Sequence, residues 1–147
     1  MQKSTKVLRL LLAALIFSVF TSPLTAVGKP VLMLFGGTNH TVFLGCLSCS
    51  QYDSKSIWNA YGQYGSIYSS SSIWNEYGTF GSQYSFTSPW NSYSTSPPII
   101  VDSNGNFYGY FTTNKYQPQR TKITWVLWIL DNHEYVLKHL DEVRNIF

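Results

Sequence analysis

The chain has 147 residues, of which 17% are aromatic and 12% charged, and its formal net charge is +3. Three basic residues and no acidic ones fall within residues 1–28, so residues 29–147 hold seven basic and seven acidic side chains. This later part of the chain therefore carries no net charge. Nucleic-acid backbones are bound by clustered Lys and Arg, so the composition excludes nucleic-acid binding as the expected function. The length fits one modest domain.

The N-terminus has the layout of a secretory signal peptide. Its basic residues precede an eleven-residue apolar run over residues 10–20, and small residues follow that run. An uncleaved membrane anchor is the weaker alternative, because a spanning helix needs roughly 20 apolar residues. The pattern predicts that residues 1–28 are a signal peptide cleaved after Ala26 or Gly28. The protein is then exported, to the periplasm or the extracellular space.

Two β-hairpins are predicted, one before and one after a repeat segment. Residues 31–35 and 41–47 are apolar runs around the turn sequence GGTNH. Residues 99–113 contain a second pair of runs, and Asn104 with Gly105 suits a two-residue primed turn between them. This turn resembles a calcium loop only superficially, since the later Glu that such a loop needs is missing.

Two cysteines follow the first hairpin, Cys46 and Cys49. In an exported chain this close pair predicts a local disulfide or inert thiols. A redox dithiol stays open, although no βαβ pattern surrounds the pair. Half of a zinc site also stays open, with His40 as the nearest third ligand and no evident fourth. We predict no bound metal or cofactor.

Between the hairpins the sequence repeats with a period of sixteen. The copies are residues 51–66, 67–82 and 83–98, with no gap between them. Five columns are identical in all three copies: Tyr52, Tyr68 and Tyr84; Ser56, Ser72 and Ser88; Trp58, Trp74 and Trp90; Asn59, Asn75 and Asn91; Tyr61, Tyr77 and Tyr93. The 48 residues include only three charged side chains, none of which recurs, so the repeated columns are not catalytic carboxylates.

Each copy contains the motif Ser-x-Trp-Asn-x-Tyr, which predicts a short helical or 3₁₀ turn. Ser is a good N-cap, and Pro89 stands directly after it in the third copy, where proline is tolerated. Gly62 and Gly78 follow the Tyr, where such a turn would end. Trp58 and Tyr61 would then lie on the same side of the turn. An irregular β-arc is the alternative.

The recurring aromatic residues suit either a structural role or ligand binding. We predict burial of the Trp column and of the first Tyr column, because a small domain needs a core. The predicted structural core of the repeats consists of Trp58, Trp74, Trp90, Asn59, Asn75, Asn91, Tyr61, Tyr77 and Tyr93. The aromatic residues that do not recur, Tyr64, Phe80 and Phe86, are the predicted candidates for ligand binding.

The C-terminal part predicts a strand followed by a helix. Residues 122–130 form a nearly continuous apolar run, which we interpret as a buried or partner-facing strand. Residues 131–147 have apolar positions at helical spacing, and Asp131 with Glu134 forms a variant of the capping box. The predicted fold is one α+β domain over residues 29–147, with hairpins around three aromatic repeat coils and a C-terminal helix.

Part of the sequence resembles a known group of proteins. The tandem SIWNxYGxxGS copies, the closing SPWN and the segment PPIIVDSNGNFYGYFTTNKY followed by RT are similar to small exported bacterial proteins. The resemblance covers roughly residues 38–121. It implies export and a bacterial source, and it brings no activity and no functional residues.

The sequence favours a protein without enzymatic activity. It contains no H-E-x-x-H, G-x-S-x-G or P-loop pattern. Our leading hypothesis is an exported module that binds an envelope or extracellular polymer, such as a glycan, or scaffolds a partner. The alternatives are a purely structural repeat protein without a ligand and a thiol redox protein using Cys46 and Cys49. Membrane contact is expected only through an uncleaved signal segment.

Overall fold

The computed structural model describes Pro23 and residues 27–147. The predicted signal peptide, residues 1–28, lies almost wholly outside the described residues. Within the described part of the chain, no helix has both the length and the apolar character needed to cross a bilayer.

Four short strands form one antiparallel sheet. They are β1 (Met33–Gly36), β2 (Val42–Cys46), β3 (Ile99–Val101) and β4 (Phe107–Tyr110), in the spatial order β2-β1-β3-β4. The two predicted hairpins are confirmed as the pairs β1–β2 and β3–β4. The pairing of β1 with β3 joins them, so the repeat segment leaves the sheet at β2 and returns to it at β3.

The turn between β3 and β4 differs from the predicted two-residue primed turn. That turn needs positive φ at both central residues, and Gly105 has φ 79° whereas Asn104 does not have positive φ. The buried Asp102 carboxylate organises the turn instead. It accepts hydrogen bonds from the backbone amides of Asn104 and Asn106, at 2.9 and 3.0 Å, and from the Asn106 side chain at 2.8 Å. The Tyr108 hydroxyl donates a further bond of 3.0 Å.

We expect this carboxylate to make the stability of the domain depend on pH. Hydrogen bonds from the Asn106 side chain, from backbone amides and from Tyr108 hold the pKa of Asp102 below its ordinary value, against the opposing effect of burial. A carboxyl whose pKa is lowered on folding stabilises the fold above its unfolded pKa of about 3.9, and this stabilisation is lost as the pH falls through the folded pKa. The urea concentration at the unfolding midpoint should therefore be lower at pH 3 than at pH 6. This difference should be smaller in Asp102→Asn than in the wild type. An equal fall in both proteins would contradict this role.

Three short helices complete the fold within the described residues: α1 (Thr124–Asp131), α2 (His133–Lys138) and α3 (Leu140–Arg144). The predicted strand over residues 122–130 is wrong, because α1 occupies most of that run. Val126, Ile129 and Leu130 are buried at helical spacing. Trp125 and Trp128 face outward. Because both are apolar, the sequence shows no contrast between the inner and outer faces of the helix.

The predicted continuous helix over residues 131–147 is also corrected. The backbone leaves helical geometry at Asn132 and His139, where φ is −115° and −121°. The predicted capping box is absent, since α2 has no side-chain cap and Asp131 is the last residue of α1. The Asp131 carboxylate instead pairs with Arg120 at 2.7 Å. A mixed α+β fold with C-terminal helices is nevertheless confirmed.

Residues 50–94 are a chain of consecutive turns. Backbone amides donate to the carbonyl three residues earlier at Asp53, Ser56, Asn59 and Gly62. The Gly62 carbonyl then accepts from both Gly65 and Ser66, and the bond from Ser66 spans four residues. These five steps cover sixteen residues, and the second copy repeats them from Ser66 to Ser82. Residues 51–98, all of them described, contain no α-helix or 3₁₀-helix, so the predicted helical turn of each copy is replaced by turns of this kind.

The predicted serine caps are confirmed within these turns. In each copy the Ser hydroxyl oxygen accepts a hydrogen bond from the Trp backbone amide two residues later, at 3.1, 3.1 and 3.2 Å. Ser, Thr, Asn and Asp side chains favour such local bonds over regular secondary structure. The spacing of Ser and Asn at every third residue therefore explains why this segment forms turns.

The Trp column forms the core of the segment. The Trp58, Trp74 and Trp90 side chains are at most 4% exposed, and successive indole centroids lie 5.4 Å apart. The indole N–H of Trp74 donates to the Ile57 carbonyl and that of Trp90 to the Ile73 carbonyl, each at 2.5 Å. Each copy is therefore held to the preceding copy by both ring contact and a buried hydrogen bond.

Other elements cover both ends of the indole stack. The Phe147 ring is parallel to the Trp58 indole, with centroids 4.1 Å apart. At the other end, Phe111 meets Trp90 edge-on at 5.6 Å, and His133 stacks on it at 6.0 Å. The residue after β4, the start of α2 and the C-terminal residue thus supply the surfaces that a three-copy repeat lacks at its ends.

Candidate functional site

The recurring tyrosines lie on the surface, which corrects the predicted core. Tyr61, Tyr77 and Tyr93 are 101%, 90% and 82% exposed. The first Tyr column, which we also expected to be buried, is 86%, 87% and 82% exposed at Tyr52, Tyr68 and Tyr84. Large aromatic rings left in solvent at both recurring positions add little to the core, so they are the first candidates for ligand contact.

Turn geometry explains why Trp is buried and Tyr is not. Trp58 and Tyr61 occupy the same position in two successive turns, one beginning at Ser56 and the next at Asn59. The chain changes direction between the two turns, so residues three apart do not share a side as they would on a helix. The buried stretch of the first copy is correspondingly short, Ser56 to Trp58, all of it 0% exposed.

The Asn column holds each tyrosine-bearing turn in place. The Asn side-chain oxygen accepts a hydrogen bond from the Tyr backbone amide two residues later, at 3.0, 3.1 and 2.9 Å in the three copies. Its amide nitrogen donates to the carbonyl six residues earlier, at 3.1, 3.1 and 3.2 Å. The Asn side chains therefore fix the backbone from which the second Tyr column projects.

The predicted ligand-binding aromatics lie in different environments. Phe86 is 61% exposed. Tyr64 is only partly exposed and packs edge-on against Phe43, with centroids 4.9 Å apart. Phe80 is partly buried against the core. The structure therefore does not bring these three residues together as one exposed surface.

An elongated depression runs between the repeat copies and the C-terminal helices. It consists of three adjoining cavities of about 690, 470 and 530 Å³. The first and second share Tyr84, Trp90, His133 and Glu134, and the second and third share Glu76, Tyr77, Gly81 and Leu137. We call this depression the aromatic groove.

Tyrosines from both columns and the edges of the indole stack line the groove on its repeat side. Tyr68 and Tyr77 line the third cavity, Tyr77 and Tyr84 the second, and Tyr84 and Tyr93 the first. Trp74 lines the third cavity and Trp90 the other two, although both indoles are almost fully buried. The opposite side is formed by the end of α1 and by α2. Sequence periodicity could not reveal this arrangement, because it depends on where a distant helix packs.

Carboxylates are concentrated in the middle of the groove. Glu76 and Glu134 both line the second cavity and both are exposed. Hydrogen bonding and charge repulsion from Glu76 raise the pKa of the neighbouring Tyr77 hydroxyl. The first cavity also contains Asp131 and Lys115, but Asp131 is already paired with Arg120.

The cysteines lie away from the groove. The Cys46 and Cys49 sulfurs are at disulfide distance, with Cα atoms 5.5 Å apart, and Cys46 is 2% exposed. His40, the nearest third zinc ligand in the sequence, places Nε2 2.9 Å from the Pro97 carbonyl oxygen. Within residues 27–147, no three His, Cys, Asp or Glu side chains converge closely enough to hold a metal ion. A thiol redox role stays a prediction.

Comparison of the chain with protein-family models, with curated proteins and with solved structures finds no match.

Proposed function

We propose that the protein is a non-catalytic exported module that binds an extended polysaccharide in the aromatic groove, with its three copies acting as the coils of a short solenoid. The observation that carries this proposal is the set of four exposed tyrosine rings along one groove, Tyr68, Tyr77, Tyr84 and Tyr93. Sugar rings suit such a surface, because their C–H faces pack on aromatic rings while their hydroxyls bond to polar side chains.

The spacing of the copies favours a polymer over a small compact ligand. Indole centroids of successive copies lie 5.4 Å apart, and each Tyr column contributes a ring to the groove from the second copy and from the third. A ligand that offers the same group at a similar interval matches this surface at several points at once. That interval is close to the length of one sugar unit in an extended chain. We therefore propose a linear glycan of the envelope or the extracellular space as the ligand.

Polar groups that suit sugar hydroxyls stand beside the rings. The Gln83 side chain lines both the first and second cavities, and Asn75 and Asn91 line the third and first. The two Asn side chains already fix the turns through bonds to the backbone, so they present oriented groups rather than mobile ones. Oriented amides, and a fixed backbone beneath the tyrosine rings, reduce the entropy lost on binding.

Tyr84→Ala should weaken polysaccharide binding about tenfold, a loss equivalent to about 1.4 kcal/mol. Tyr84 lines two of the three cavities, so its removal interrupts the row of aromatic rings near the middle of the groove. Binding is measured by calorimetry against a panel of cellulose-, xylan-, chitin- and peptidoglycan-derived oligosaccharides, with tryptophan fluorescence as a second readout.

Tyr52→Ala is the matched control for this experiment. Tyr52 stands in the same repeat column, is 86% exposed and has the same amide-to-serine bond as Tyr84, but it lines none of the three cavities. Its removal should leave binding and melting temperature unchanged. Equal losses in the two variants, or no binding to any oligosaccharide of the panel, would contradict the proposal and favour a purely structural repeat.

A further inference from the structure

We propose that the middle of the aromatic groove binds an ammonium group, so that the preferred ligand is a linear glycan with free amino groups. This inference rests on the proposed function and names the class of sugar that the groove selects. The second cavity places the Glu76 and Glu134 carboxylates together with the Tyr77 and Tyr84 rings. Aromatic faces attract cations, and nearby carboxylates add a charge of the complementary sign.

Neither carboxylate is paired with a basic side chain in the described part of the chain, although Glu76 accepts a hydrogen bond from the Tyr77 hydroxyl of the same cavity. The ion pairs within the described part of the chain join Arg120 to Asp131, His139 to Glu142 and Arg144 to Asp141, and neither Glu76 nor Glu134 belongs to them. No Lys or Arg side chain lines the second cavity. The histidine in this cavity, His133, stacks on Trp90. Lys115, the one Lys or Arg side chain among the described residues that lines the groove, belongs to the first cavity.

The repeat itself indicates that Glu76 is not needed for folding. Its column contains Ala60 in the first copy and Ser92 in the third. Both of those copies have the same Ser–Trp and Asn–Tyr hydrogen bonds as the second copy. The carboxylate therefore occurs in the second copy alone, and there the Glu76 side chain lines the middle of the groove.

These groups distinguish three classes of sugar. A glucosamine unit presents an ammonium group with three N–H donors, which the rings and the two carboxylates attract together. An N-acetylated unit has no charge and retains only ring stacking and hydrogen bonds. A uronic acid unit is repelled by the carboxylates. The expected order of affinity is amino sugar, then N-acetylated sugar, then uronic acid.

The test compares oligomers of equal length made of β-1,4-linked glucosamine, β-1,4-linked N-acetylglucosamine and a β-linked uronic acid, by calorimetry at low and high salt. We expect the glucosamine oligomer to bind about tenfold more tightly than the acetylated one at low salt, a difference within the range for a cation on aromatic faces near carboxylates. Glu76→Ala, which introduces the residue of the first copy, should remove most of this preference. The readout is the ratio of the two affinities, because a general weakening of the groove would lower both affinities and leave their ratio unchanged.

Asp53→Ser is the matched control, because it removes one negative charge and introduces the residue found at Ser69 and Ser85. It should leave the preference intact. If Asp53→Ser reduces the preference as much as Glu76→Ala, the attraction is a general charge effect and the inference is overturned. Equal binding of the two β-1,4-linked oligomers would also overturn it while leaving the proposed function standing. If none of these three oligomers binds, the inference is overturned, and the proposed function fails as well only if the cellulose- and xylan-derived oligosaccharides also do not bind.

Discussion

Trp74→Ala should lower the free energy of unfolding by about 3–5 kcal/mol, the range for removal of a large buried aromatic side chain. Trp74 is the middle ring of the stack and contacts the indoles of both Trp58 and Trp90. Its side chain is 3% exposed, so the substitution leaves a cavity between the first and third copies. The effect is measured by urea denaturation followed by circular dichroism.

Trp74→Phe separates ring contact from hydrogen bonding. It keeps an aromatic ring in the stack but leaves the Ile57 carbonyl without its indole partner, which should cost about 1–3 kcal/mol. Tyr61→Ala is the control, because its side chain is 101% exposed and its loss should change stability by less than about 0.5 kcal/mol. Similar losses for Trp74→Ala and Tyr61→Ala would show that the stack is not the core of the segment.

Gly81→Ala should destabilise the domain by about 3 kcal/mol or more, at the upper end for overpacking. A Cβ atom at this position would lie 2.1 Å from the Asn75 carbonyl oxygen and 2.6 Å from its carbonyl carbon. Both neighbours are backbone atoms of a hydrogen-bonded turn, so they cannot move aside as a side chain would. The crowding arises because the four-residue step that closes each copy folds the chain back on the Asn turn.

Gly78→Ala provides the comparison within the same copy. Its Cβ atom would lie no closer than 3.3 Å to any neighbour, and the third copy has Ser94 in this column. We therefore expect the free energy of unfolding to fall by less than about 1 kcal/mol, as for a substitution that causes no severe clash. The melting temperature and the urea midpoint of Gly78→Ala should be close to those of the wild type. Both values should be clearly lower in Gly81→Ala. The opposite ranking would contradict this turn geometry.

Local patterns predicted part of the fold well. Alternation and turn glycines were enough for both hairpins, because strand pairing across a short turn depends on neighbouring residues. The apolar run over residues 122–130 was ambiguous, because Trp125 and Trp128 are apolar residues on the outer face of α1. A run that is apolar on all sides gives no period by which a helix is distinguished from a strand.

The candidate site was harder to predict than the fold. Identical columns revealed the copies, but not which columns face inward, since Trp58 and Tyr61 are both aromatic and both recur. In a chain of turns, the direction of a side chain depends on where each turn begins and ends. The hydropathy of the sequence does not predict those positions. The groove further requires α2 to lie beside residues nearly sixty positions earlier in the chain, since Glu134 and Glu76 line the same cavity. No local pattern encodes such an arrangement.

The sixteen-residue unit also limits how this protein can change in length. Four steps of three residues and one of four bring the Trp74 and Trp90 indole N–H groups to equivalent carbonyls of the copy before, those of Ile57 and Ile73. An insertion or deletion of any other size within residues 51–98 would break that correspondence for every copy beyond it. Duplication or loss of a whole unit preserves it, as in repeat proteins whose units contact only their neighbours. Lineages that gain or lose such units would extend or shorten the row of exposed tyrosines by one pair at a time, so the length of the repeat can evolve separately from the surrounding sheet and helices.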